Sequence, residues 1–221
     1  MSRYRKRLER LETKVLWGTA MLPAVFVLLL VVLRWPAYWK WINYEMTPMT
    51  SLEVAVMFTA ALMAFMVGTH AWLKTESEYR GWWLLAAGFV YFALDDRFAI
   101  HERIRDNILI PNNIGLSFIP WMGMGDFILL TYAAIGIVLL PRISRLFQGK
   151  AKAMRRLFAA VGVALVAMMM DSVDIIWMSE DTQRLEQTLE ECLELTAQIL
   201  FLHAFVIAFF AQLAREDAAT P

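Results

Sequence analysis

Apolar residues fill six stretches of the chain over the length that a bilayer requires, and polar residues gather between them. The runs cover residues 15–33, 51–73, 81–103, 119–140, 156–178 and 189–214. An α-helix rising 1.5 Å per residue needs about 20 residues to cross hydrocarbon, and each run comes close to that. The pattern predicts an all-α fold: a polytopic membrane protein with six transmembrane helices in a bundle. Residues 1–14 form a basic segment ahead of the bundle and 215–221 a tail. Leu8, Leu11 and Val15 share one face of an expected interfacial helix before the first span. Pro23 lies inside the first run, where a proline kinks a helix. Pro36, Pro48, Pro111, Pro120 and Pro141 fall at or outside the ends of runs, where a missing N–H matters less. The segment 107–119, with Pro111, Asn112, Asn113 and Gly115, reads as turns.

Charge sets an expected orientation. The chain carries 21 basic and 21 acidic residues, but they are segregated. Arg3, Arg5, Lys6, Arg7, Arg10 and Lys14 precede the first run. Lys74 and Arg80 lie between the second and third. Arg142, Arg145, Lys150, Lys152, Arg155 and Arg156 lie between the fourth and fifth. With six spans these segments share one side, which the excess of Lys and Arg assigns to the cytoplasm, together with both termini. A basic start followed by an apolar run could be a signal peptide, but the run is long for one and no small-residue cleavage site follows, so a retained first span is expected. Trp17, Trp72, Trp82 and Trp83 then mark an inner interface, and Trp35, Trp39, Trp41, Trp121 and Trp177 an outer one. Basic clusters that flank apolar runs are topology signals, so nucleic acid is not an expected partner.

The same topology puts every acid in or beside a span at the outer end. These are Glu53 in the second span, Asp95, Asp96 and Glu102 in the third, Asp126 in the fourth, Asp171 and Asp174 in the fifth, and Glu190, Glu191 and Glu194 in the sixth. Spans alternate in direction, so such a concentration requires acids near the start of one helix and the end of the next. Helical periodicity puts Asp95 and Glu102 on one face, Asp171 and Asp174 on another, and Glu191, Glu194 and Gln198 in a stripe. His101 points about 100° away from Glu102 unless the helix unwinds there. Glu53 and Glu190 are expected at the hydrated interface, Asp96 and Arg97 as a local pair, and His203 as a packing residue between helices.

Carboxylates held this close repel one another unless they are protonated, paired or bridged by a cation, and Arg97 is the obvious buried countercharge. An ionisable group inside a membrane is a functional candidate. The oxygen-rich set with one imidazole suits a divalent metal ion such as Mn, Fe, Ca or Mg better than thiolate-bound Zn. The only cysteine is Cys192 and there are three histidines. The expected metal ligands are Asp95, His101, Glu102, Asp171, Asp174, Glu191 and Glu194, with Asp95, Glu102 and Asp171 as catalytic candidates. The motif of di-iron bundles, Glu-x-x-His, does not occur.

The segments LDDRFAIHERI, DSVDIIW and LEECLELTAQILFLHAF together resemble a group of small bacterial multi-pass membrane proteins. That group carries a Leu-Asp-(Asp/Glu)…His-Glu helix and a late Glu-Glu-x-x-Glu-type helix, and the resemblance spans residues 85–205. It implies the bacterial inner membrane and singles out Asp95, His101, Glu102, Asp174, Glu191 and Glu194. The resemblance supplies no reaction; the acidic cluster itself points to a metal-dependent membrane enzyme, a hydrolase or oxidoreductase, acting on a lipid or other amphiphile at headgroup depth. Two alternatives stand beside it. One is a proton- or ion-coupled transporter using the same carboxylates, and the other is an accessory subunit bound to other membrane subunits.

Overall fold

A computed structural model describes residues 3–44, 46–116, 125, 127–173, 175 and 177–219, with side chains through Arg215. The expected start of the fourth span, with Trp121 and Asp126, and the expected ligand Asp174 lie outside the described residues.

The described elements are helical. They are α1 (Arg3–Leu33), α2 (Trp39–Ile42), α3 (Pro48–Leu73), α4 (Tyr79–Phe98), α5 (Ile100–Ile104) with a π-helical turn at Arg105–Leu109, α6 (Phe127–Arg145), α7 (Ala151–Asp171) and α8 (Glu180–Ala219). Among the described residues, five helices are long and apolar enough to cross a membrane: α1, α3, α6, α7 and α8 as far as Arg215. The expected third span, α4, falls short of that standard because Asp95, Asp96 and Arg97 occupy its last turn.

Two helices are longer than their spans. The basic segment and first apolar run form one continuous helix, α1, rather than an interfacial helix followed by a span; Pro23 sits within it, buried. The 40 residues of α8 extend about 60 Å at 1.5 Å per residue, twice the ~30 Å of bilayer hydrocarbon. Its first half, from Glu180, is therefore too polar and too distant to share the apolar span. The α1–α3 connection holds it in place. The Asn43 amide donates to the Arg184 carbonyl at 2.9 Å, the Thr188 hydroxyl donates to Asn43 Oδ1 at 2.8 Å, and the Arg184 guanidinium lies 4.2 Å from the Trp39 ring centre.

Packing centres on α3, α4, α7 and α8, with α1 against α8. One face of α3 is built largely from small residues, Ala60, Ala64, Val67, Gly68 and Ala71, all buried. Small residues let backbones approach closely, which is how helices gain contact area where lipid removes the hydrophobic drive. A Cβ on Gly68 would lie 2.6 Å from Trp83 Cδ1 and 3.0 Å from Trp82 Cβ. Trp82, expected at an interface, is instead fully buried. Its ring meets Phe147 at 4.9 Å and Phe205 at 6.1 Å, and Phe89 meets Phe201 and Phe205 at 5.2 and 5.1 Å. These edge-on contacts fill the bundle core from its basic end inward. His203 bridges helices as expected, its Nε2 lying 3.0 Å from the Thr19 hydroxyl.

The basic segments meet at one end. Lys152 pairs with Glu12 of α1, and the start of α4 abuts Leu146 and Phe147 before α7. Leu8 and Phe210 line a common cleft between α1 and the end of α8. Lys150 donates to the Leu146 carbonyl at 3.0 Å and sits over Trp82. Burial, with Arg215 nearby, holds its ammonium below the usual lysine range.

The third expected span breaks. Ala99 adopts the left-handed conformation (φ 48°, ψ 49°), ending α4 before α5 begins.

Two stability predictions follow from these contacts, both measured by thermal unfolding in detergent. Gly68→Ala should cost about 1–3 kcal/mol through overpacking, whereas Gly88→Ala, with nothing within 4 Å of its added Cβ, should not destabilise. Equal effects would contradict the tight α3–α4 approach. A left-handed alanine costs about 1–2 kcal/mol, so Ala99→Gly should raise stability by about 1 kcal/mol and Ala99→Val should lower it. A destabilising glycine would show that the break is not conformationally strained.

Candidate functional site: an acidic centre at one end of the bundle

The acids gather at the end of the bundle opposite the basic segments. Glu53 lies in the second turn of α3, on the small-residue face that packs against α4 and α8. That face carries it inward: Glu53 is 1% exposed. Two of the acids on α8, Glu191 and Glu194, are separated by three positions and are half-buried. One carboxylate oxygen from each of Glu53, Glu191 and Glu194 lies within 4.8 Å of the others. Two oxygens bonded to one ion at about 2.4 Å are at most about 4.8 Å apart, so the spacing is that of ligands sharing a hard cation. Glu53 Oε1 makes no hydrogen bond to the described residues, a costly state for a buried acceptor. Asp96 lies within electrostatic reach of Glu53.

The helix break organises the second part of the centre. Because α4 stops at Ala99, the chain turns back and His101 meets Asp95. One carboxylate oxygen of Asp95 accepts the His101 backbone N–H at 2.8 Å, and the other lies 3.0 Å from His101 Nδ1. Asp95 is buried and fixes both the backbone and the ring of His101, leaving Nε2 as the ring atom that can address a substrate or a proton. The expected pairing of Asp95 with Glu102 on one helical face is thereby replaced by Asp95 with His101. Glu102 turns towards Arg105, 3.9 Å away. Asp171, the last residue of α7, lies within electrostatic reach of His101, Glu186 and Glu190. On α6, Tyr132 reaches Asp95 electrostatically and shares a 2.5 Å hydroxyl contact with Tyr91.

Of the expected site residues, Glu191 and Glu194 thus enter a three-carboxylate group, Asp95 and His101 form a pair, and Asp171 stands beside His101. Glu102 is engaged by Arg105. Two expectations are corrected. Arg97 is exposed and does not serve as a buried countercharge. Glu53, expected at a hydrated interface, is the most deeply buried acid of the group. Its signal was present in the sequence: Glu53, Ala60, Ala64, Val67 and Ala71 fall at helical spacing along one stripe, so the glutamate shares the packing face of α3.

Three carboxylates at the edge of an apolar bundle need a positive partner or shared protons to coexist. Their donor atoms are all oxygen, which suits Mg, Ca or Mn. The Asp95–His101 pair, at the same end of the bundle, supplies an oriented imidazole of the kind that transfers protons in general acid–base chemistry.

No curated protein and no solved structure matches the chain. The family described as a domain of unknown function (DUF8692) matches residues 21–209. The matched stretch begins inside α1, runs into the apolar half of α8 and contains every residue of the acidic centre, and on that match the chain belongs to the DUF8692 family.

Proposed function

We propose that this protein is an integral membrane enzyme of the bacterial inner membrane that uses a divalent cation, held by Glu53, Glu191 and Glu194, to act on a lipid or another amphiphile. The observation that carries the reading is the burial of Glu53, with one oxygen unbonded, against two further glutamates at ligand spacing.

In this reading α4 crosses the membrane as well, giving six spans. Five crossings would leave the start of α1 and the end of α8 on opposite sides, yet the two pack together. The excess of Lys and Arg beside them favours the cytoplasm for that end, which directs the acidic centre to the outer leaflet. A bound cation would supply charge stabilisation for a substrate oxygen or an activated water. Asp95 holds His101 in one orientation, and His101 Nε2 moves the proton. Asp95 offsets the burial of the imidazole, and Glu102 and Asp171 add smaller negative charge beside it, while Glu102 also faces Arg105.

A transporter is less well supported, because Trp82, Phe89, Phe201 and Phe205 pack edge to face where a polar path towards the basic end would have to pass. The accessory-subunit reading has one observation in its favour: α6 has no buried residue, so one flank of the bundle is open to lipid or to another membrane subunit.

Metal analysis of the purified full-length protein tests the enzyme reading. After loading with Mn2+ and buffer exchange, the wild type should retain about one ion per chain and Glu53→Gln less than a tenth of that. A metal-free wild type would overturn the proposal.

A further inference from the structure

The three glutamates leave a feature of the same helix face unexplained. Gln198 follows Glu194 by four positions and Glu191 by seven, so the three residues form a single stripe on α8. It is 9% exposed, and its amide oxygen has no hydrogen-bond partner among the described residues. A glutamine buried for packing alone would leave that oxygen desolvated at a cost that a leucine of similar size would avoid. Long helical side chains lean towards the helix N-terminus, which carries the Gln198 amide towards Glu194. The α3 and α8 helices both begin at the acidic end, so Glu53 leans the same way. Glu53 Oε1 and Gln198 Oε1 are thus both unbonded among the described residues on two helices that pack together, whereas Gln212 Oε1, also unbonded, lies fourteen residues further along α8, away from the glutamates.

We propose that Gln198 is the fourth, neutral oxygen ligand of the cation site and that it sets the site's preference for a hard divalent cation; this rests on the cation-site reading above. Three carboxylates already exceed the charge of a divalent ion. A fourth carboxylate would add repulsion in the free protein, and a nitrogen or sulfur donor would favour softer transition metals. An amide oxygen raises the ligand number without adding charge, as amide and backbone carbonyls do in calcium sites. Four protein oxygens leave two positions of an octahedral ion such as Mn2+ or Mg2+ for water or a substrate oxygen.

The test is Mn2+ binding to the full chain in phosphatidylcholine nanodiscs, followed by the loss of the free Mn2+ electron paramagnetic resonance signal. Gln198→Leu should weaken Mn2+ binding at least tenfold. Its unfolding temperature without metal should equal or exceed that of the wild type, because the desolvated oxygen is gone; a purely structural glutamine would instead lower it. Gln198→Glu restores an oxygen and should bind Mn2+ within about threefold of the wild type. Should Gln198→Leu fail to fold, Gln198→Asn, which withdraws the amide oxygen by one methylene, should show the same weakening. Wild-type affinity in Gln198→Leu, or in Gln198→Asn if it replaces it, overturns this inference alone. Absence of Mn2+ binding in the wild type overturns both this inference and the cation site.

Discussion

A carboxyl group sealed between helices is the constraint on which the architecture turns. Removing a charge from water costs several kcal/mol even after relaxation, and a like-charged neighbour raises the cost further. Glu53 meets both conditions, with Glu191 and Glu194 beside it. A leucine at this position would pack without penalty. The glutamate is tolerable only if it is protonated, shares a proton with Glu191 or is compensated by a cation, and the spacing of the three residues fits the cation proposed above. The bundle contributes by fixing where the three carboxyls sit.

That fixing comes from elements remote from the acids. The small-residue face of α3 draws α4 and α8 close, and Trp82 locks against Phe147 and Phe205 towards the basic end. The acidic half of α8 is tied to the α1–α3 connection through Asn43, Thr188 and Arg184. Glu191 and Glu194 are therefore held from both sides, by apolar packing below and by hydrogen bonds above. The left-handed turn at Ala99 performs a similar service for His101. It ends α4 and swings the imidazole back onto Asp95, so a proton-handling group is oriented by a backbone feature rather than by helical periodicity.

Much of this was legible from the chain alone. Apolar runs marked the helices, alternation of direction brought the acids to one end, and the spacing of Glu191, Glu194 and Gln198 gave a true stripe. Of the three basic segments that charge counting assigned to one side, the last touches the first through Lys152 and Glu12 and abuts the start of α4, which follows the second, through Leu146. What periodicity could not supply was rotation. Trp82 and Trp83 have the same depth in sequence, but Trp82 turns into the core. Glu53 reads by depth as an interfacial residue, and only the angular position of the alanine stripe reveals that it faces inward. The Ala99 break had no glycine or proline to announce it. It is held by the two contacts of Asp95 with His101, a tertiary cause that a window of local preferences does not contain. The charged end of α4 likewise fails a test of apolarity because its acids answer to partners on other helices.

The most direct measurement is an anomalous difference map from crystals of the full chain grown with Mn2+. The account predicts one peak between Glu53, Glu191 and Glu194, within coordination distance of Gln198. A map with no peak there, or with its peak between Asp95, His101 and Glu102 instead, would contradict it.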